Sequence, residues 1–140
     1  MNLYKYKRVT LRIFEFYKAI EEDVHNEKNV CIFTYQVNKH IVGAVRLIKN
    51  DGYFTLRTLY VIPQWRHKGI ATALIRELID HIPPESILYC LPYPRVRSLY
   101  SNLGFVHIHP DNLPEMLKKR YDEYIKEFDV ISMKYIKKSP

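Results

Sequence analysis

The sequence predicts an α/β domain built on one mixed, twisted sheet: an antiparallel meander, then a parallel βα crossover, with helices flanking the sheet. Three observations carry that prediction. Three strand-like runs in the first half of the chain are joined by short polar turns alone. An amphipathic helix follows the third run, and a short apolar run follows that helix. The chain has 140 residues, which suits one core, so residues 1–140 read as a single domain.

Residues 3–9 have the aromatic and β-branched character of a short strand. Thr10 suits an N-cap, because its hydroxyl can accept an orphan N–H from the turn that follows. Leu11, Phe14, Tyr17 and Ile20 then recur at helical spacing, ahead of the polar stretch 21–29. Strands are expected over 30–37, 41–49 and 53–62. Asn38-Lys39-His40 and Asn50-Asp51-Gly52 join them, and Gly52 can take the positive φ of a hairpin turn. The next helix, 69–82, places Ile70, Leu74, Ile75, Leu78, Ile79 and Ile82 along one broad face, with Ala73 beside them. Arg76, Glu77 and Asp80 fall on the other face. Pro83-Pro84 stops the helix for want of N–H donors.

Residues 86–91 form a short, continuous apolar run, expected to be buried on both faces. Reached through a helix, this strand should lie parallel to its neighbour. Pro94 opens a short helix over 95–102, Gly104 ends it in the left-handed position, and 105–109 is a strand. Pro114 suits the first turn of a helix carrying Leu117, Tyr121, Tyr124, Ile125 and Phe128, and 129–136 is the last strand. No repeat, low-complexity tract or linker interrupts the order.

Composition bounds the function classes. Hydrophobic residues make up 47% of the chain, with 12 Tyr and 6 Phe, which sets it apart from disordered sequences. The two cysteines, Cys31 and Cys90, lie within apolar runs and form no CxxC or Cys/His cluster. A reduced, cytoplasmic setting without a structural metal is therefore expected. The basic N-terminal stretch has no apolar segment behind it, and no run approaches the ~20 residues of a membrane span. The formal charge of +7 favours anionic partners, a nucleotide cofactor or RNA among them. Yet the basic residues are scattered (Lys5, Lys7, Arg8; Arg66, Lys68; Arg95, Arg97; 118–120). Nucleic acid is thus permitted by charge but unsupported by a dense patch, and an ordinary solvated surface explains each cluster equally well.

The most informative segment is Arg66-His67-Lys68-Gly69-Ile70-Ala71. A diphosphate needs several N–H donors converging on one point, and a helix N-terminus supplies up to four of them with a partial positive charge. Gly69 lets backbone approach the ligand closely, while Arg66 and Lys68 add charge. Locally this says only that an anion can bind. GxGxxG and GxxxxGK[ST] are both absent, which excludes dinucleotide and P-loop turns.

A longer frame adds content. The stretch Leu59-Tyr60-Val61-Ile62-Pro63-Gln64-Trp65-Arg66-His67-Lys68-Gly69-Ile70-Ala71-Thr72-Ala73-Leu74 resembles motif A of the GNAT superfamily of N-acetyltransferases, with Arg66, Gly69 and Ala71 on its defining positions. Leu99-Tyr100-Ser101-Asn102-Leu103-Gly104-Phe105 resembles a second family segment at the expected separation. The resemblance implies a GNAT-type acyl-CoA N-acyltransferase fold, with acetyl-CoA as co-substrate and no metal. It implies that backbone N–H groups of His67, Lys68, Gly69, Ile70, Ala71 and Thr72, with Arg66, hold the pyrophosphate. Leu59, Tyr60 and Val61 are expected to pair with the pantetheine amides, and an N–H near Val61 to face the carbonyl oxygen. Tyr93 stands at a cofactor-contact position where many members carry Asn. Tyr100 matches the family tyrosine that protonates the departing thiolate, against the plainer reading of a packed tyrosine.

By that resemblance the partner is a primary amine, on a small molecule or a peptide, attacking the thioester directly; a homodimer is compatible, and a membrane is not expected. The family's strand carboxylate has no counterpart in Tyr53-Phe54-Thr55-Leu56-Arg57-Thr58-Leu59-Tyr60. Proton removal then falls to water or to a residue from elsewhere, with His107 and His109 as candidates by pKa. The helix near 114–126 reads as one wall of the amine site or simply as a helix packed on the sheet. Glu115, Asp122, Glu123 and Glu127 point to a cationic amine, whereas Lys118, Lys119 and Arg120 point to an acidic acceptor or RNA. Two alternatives stand beside the enzyme: a non-catalytic coenzyme A-binding module, and an acetyltransferase acting on aminoacyl-tRNA.

Overall fold

Polar turns set the register of the meander in the computed structural model, which describes residues 2–139. Asn38 and Lys39 both take positive φ, 50° and 68°, the two-residue turn that matches strand twist. Strands β2 (Val30–Val37) and β3 (His40–Lys49) therefore meet with Val37 opposite His40. His40 belongs to the strand, not to the turn. Gly52 turns at φ 84° and the chain returns antiparallel as β4 (Phe54–Val61). On the other side of β2 lies β1 (Leu3–Tyr6), shorter than the predicted 3–9. The Val9 N–H has left the sheet and donates to Asn26 Oδ1 at 2.8 Å.

Thr10 caps α1 (Leu11–Lys18) as expected, its hydroxyl accepting the Ile13 N–H at 3.2 Å. The helix buries Ile13 and Tyr17 against Val24, Ile32 and Ala44. The opposite face of the sheet receives α2 (Ile70–His81), whose Ile70, Leu74, Ile75, Leu78 and Ile79 pack with Phe33, Val45, Leu47 and Leu88 in the main core. The helix sits unusually low over β3. A Cβ on Gly43 would stand 3.0 Å from Ile70, 3.1 Å from Leu74 and 3.2 Å from Val61. Glycine here sets how closely the first turn of α2 approaches the sheet.

After α2 the chain forms β5 (Ile87–Cys90), parallel to β4 as the crossover requires. The predicted helix over 95–102 divides: Pro94–Val96 is a 3₁₀ turn, and only α3 (Arg97–Ser101) is α-helical. Strand β6 (Val106–Ile108), helix α4 (Glu115–Tyr124) and strand β7 (Ser132–Ile136) complete the chain. The sheet order is β1-β2-β3-β4-β5-β7-β6, so the last strand inserts between β5 and β6. Helix α4 stops before the end of its apolar repeat. Ile125 and Phe128 are each 48% exposed, because 125–128 must turn the chain back so that Ile131 can donate to the Pro92 carbonyl at 2.9 Å. No helix among the described residues is long and apolar enough to cross a membrane.

Gly43→Ala should cost about 1–3 kcal/mol by overpacking the β3–α2 contact. Thermal denaturation measures it; an unchanged midpoint would show that Ile70, Leu74 and Val61 yield freely.

Candidate functional site

Strand β4 is served differently on its two edges. β3 pairs with it along its length, whereas β5 pairs only at Phe54–Leu88 and Thr55–Tyr89. Beyond Thr55 the two strands part. Sequence causes it on both sides. Thr58 takes φ 53° where the β3–β4 register shifts by one residue, a bulge that bends the strand. Tyr17 donates its hydroxyl to the Thr58 carbonyl at 3.2 Å and so holds the bulge. On the β5 side Leu91 is followed by Pro92 and Pro94, which lack the N–H groups to continue a ladder. The result is a seam inside the sheet, where the β4 edge from Leu56 to Val61 has no strand partner.

The seam opens toward the start of α2. Pro63–Trp65 forms a 3₁₀ turn, after which His67 (φ 63°) and Gly69 (φ 79°) take left-handed conformations before the helix begins. Alternating left- and right-handed residues turn successive N–H groups to one side, a concave nest for an anion. The N–H groups of His67, Lys68, Gly69, Ile70, Ala71 and Thr72 find no acceptor among the described residues. Ala73 is the first to do so, donating to the Gly69 carbonyl at 3.0 Å. A Cβ built on Gly69 meets nothing within 4 Å, so the space above the nest is clear.

Arg66 has a structural task that sequence reading did not foresee. Its Nε donates to the Val61 carbonyl at 2.8 Å, and its guanidinium lies 5.2 Å from the centre of the Tyr60 ring. It ties the nest to the end of β4, fixing one expected binding element against the other. Leu59, Tyr60 and Val61 thus line the seam that leads to the nest.

Tyr100 lies in the last turn of α3, where its carbonyl accepts both the Leu103 and Phe105 N–H groups, at 3.0 and 3.1 Å. Its ring meets Phe105 edge-on at 5.3 Å, and the residue is 4% exposed. The hydroxyl makes no hydrogen bond within the protein among the described residues. Burial, with the Cys90 thiol at the end of β5 nearby, holds the phenol well above its ordinary value of 10.0. It therefore stays protonated at neutral pH.

Other expected residues lie apart. Tyr93 stacks on Arg95, with 4.7 Å from the guanidinium to the ring centre, and meets Phe128 edge-on at 6.4 Å. It lines a shallow hollow of about 440 Å³ with Pro94, Glu127 and Asp129. His107 and His109 lie on and beside β6, the outer strand of the sheet, two positions from β5. His109 is engaged in capping, its Nδ1 accepting the Asp111 N–H at 3.1 Å. The acidic residues of α4 are partly neutralised, Asp122 by Lys118 at 2.9 Å and Glu123 by Lys126 at 3.4 Å. Among the described residues no group of three His, Cys, Asp or Glu could hold a metal.

A model of the acetyltransferase (GNAT) family matches residues 3–105. No curated protein sequence matches the chain. Among solved structures, an N-acetylglutamate synthase from Neisseria gonorrhoeae, complexed with coenzyme A and N-acetyl-glutamate, superposes with a TM-score of 0.72 at 17% identity. The match covers 97% of this chain but 35% of the synthase, so this chain spans about a third of that enzyme's length. The ribosomal-protein-S18-alanine N-acetyltransferase from Escherichia coli gives 0.71 at 14% identity, over 99% and 96% of the two chains. An aminoglycoside 6′-N-acetyltransferase complexed with coenzyme A gives 0.69 at 13% identity, over 97% of each. At such identities the likeness is one of fold.

Gly69→Ala should cost about 1–2 kcal/mol through its left-handed φ alone, since no clash adds to it. It should also lower affinity for inorganic pyrophosphate, measured by calorimetry. Stability lost with anion affinity intact would detach Gly69 from the nest.

Proposed function

Because the chain belongs to the acetyltransferase (GNAT) family, we propose that it moves an acetyl group from acetyl-coenzyme A to a primary amine. The observation that carries this reading is the run of six unaccepted N–H groups from His67 to Thr72, beside an unpaired strand edge. A diphosphate satisfies such a nest, and a chain with amide groups satisfies such an edge; coenzyme A joins the two. The residues present fit it.

Acetyl-coenzyme A supplies the acyl group as an activated thioester. In this reading Arg66 and the six N–H groups grip the diphosphate, and Leu59, Tyr60 and Val61 align the pantetheine arm along β4. Tyr93, packed on Arg95 and Phe128 and 40% exposed, stands at the cofactor-contact position. The acceptor's neutral amine attacks the thioester carbon directly; an N–C bond forms, the C–S bond breaks, and nitrogen loses a proton. Holding both reactants in register supplies much of the rate gain. A β4 N–H near Val61 faces the carbonyl oxygen as negative charge grows there. Tyr100 gives its proton to the departing sulfur. No carboxylate lies on β4, and His107 and His109 belong to a strand two places from β5, so in this reading the amine proton leaves to water or to a residue of another element. Two free cysteines, Cys31 and Cys90, agree with a cytoplasmic setting.

Three outcomes test the proposal. Tyr100→Phe should lower kcat by about 100-fold or more while acetyl-CoA affinity is kept. Unchanged turnover would remove Tyr100 from the chemistry. If the wild-type chain bound acetyl-CoA yet released no coenzyme A with any amine, the binding-module reading would replace the enzyme. Because Tyr100 titrates above pH 10, kcat/KM should rise as the amine deprotonates and show no falling limb below that pH. A limb near pH 8 would assign the proton to another group.

A further inference from the structure

The sheet face opposite α2 carries an unusual concentration of positive charge. Arg46 of β3 and Arg57 of β4 are directly paired across the two strands, so their side chains leave the same face side by side. Arg46 is 9% exposed and lies over the Tyr17 ring, 4.7 Å from its centre. A third guanidinium, Arg120 of α4, donates to the Tyr124 hydroxyl at 3.3 Å, and both Arg120 and Tyr124 act electrostatically on Arg57.

None of the three arginines forms an ion pair among the described residues. The Glu22 charge acts on Tyr17, whose ring stacks on Arg46. The Nε atoms of Arg46 and Arg57 are buried without a hydrogen-bond partner. Buried donors without partners are rare, and buried like charges facing one another cost stability. Burial and the neighbouring Arg120 and Arg46 disfavour the charged form of Arg57. Such a cluster persists when it serves a ligand that brings the missing negative charge.

Its position says which ligand. Arg57 immediately precedes Thr58, the bulge residue at which β4 bends away from β5, and Tyr17 links the two by holding the Thr58 carbonyl and stacking on Arg46. The cluster therefore borders the seam on the face left clear by α2. We propose that Arg46, Arg57 and Arg120 bind a carboxylate carried by the acceptor itself, so that the amine acetylated belongs to a small amino acid-like molecule. This rests on the acyl-transfer reading above. Planar guanidinium groups bind a carboxylate through paired N–H donors, which fixes orientation as well as charge. With the carboxylate anchored at the bulge, the amine extends into the seam toward the thioester.

Coenzyme A release is measured with the full chain, acetyl-CoA and matched acceptors: free amino acids, their carboxamides, polyamines and aminoacyl-tRNA. Free acids are expected to be preferred over their carboxamides by roughly 10- to 100-fold in kcat/KM. Arg57→Gln and the less buried Arg120→Gln should raise KM for the acids by about tenfold or more and leave KM for the carboxamides little changed. Acetyl-CoA affinity, measured in the same variants, should stay constant and shows that they remain folded. Equal use of acids and carboxamides, or a preference for polyamines or aminoacyl-tRNA, overturns the proposal. A second arm is independent of turnover: N-acetyl amino acids should raise the melting temperature of the free chain, their amides should not, and Arg120→Gln should abolish the difference. Failure to bind acetyl-CoA with this shift intact sinks the acyl-transfer reading alone; acetyl-CoA binding without the shift sinks the carboxylate site alone.

Discussion

A parallel strand pair that stops after two residues organises the rest of the molecule. Phe54 and Thr55 are the only residues of β4 paired with β5. Leaving six residues of strand edge without a neighbour inside a sheet costs hydrogen bonds, and the fold bears that cost for local reasons. The left-handed bulge at Thr58 bends β4, the Tyr17 hydroxyl holds it bent, and Pro92 and Pro94 prevent β5 from following. The β7 strand then closes the other edge of β5, pairing from Ile87 to Cys90, so the opening stays confined to one seam.

The anion nest depends on that seam for its place. Helix α2 can begin there because Gly43 lets Ile70 and Leu74 settle against β3, and because Arg66 anchors the preceding turn to the Val61 carbonyl. His67 holds a positive φ without being glycine, a strained choice that recurs where backbone N–H groups must be aimed. The strain, the free N–H groups and the clear space over Gly69 are one feature seen three ways.

The two faces of the sheet divide the chemistry. The α2 face is an apolar core from Phe33 to Met133, rigid enough to hold the nest and Tyr100 in fixed relation. Two smaller apolar clusters, Ile13 with Tyr17 and Leu117 with Tyr89, lie outside that core, and Arg46 and Arg120 pack on tyrosines beside them. Helix α4 buries Leu117, which packs with Leu113 and Tyr89, while Arg120 donates to the Tyr124 hydroxyl.

By itself, the sequence determined most elements, the place of the turn before α2 and the family. Their signals are local: apolar period, prolines, a glycine in a turn, and two motifs of fixed spacing. Strand β2 came out at 30–37, the reading from pattern alone, because a polar stretch precedes it and the tight Asn38-Lys39 turn ends it. Boundaries failed where tertiary contacts decide them: β1 is cut short by the Val9–Asn26 bond, and α4 by the return of the chain to Pro92. The structural role of Arg66 and the side-by-side arginines were equally out of reach. Arg46 and Arg57 are eleven positions apart and share a face only because a hairpin brings them into register. Which side chains converge across strands is a property of pairing, and pairing is decided by the folded chain as a whole.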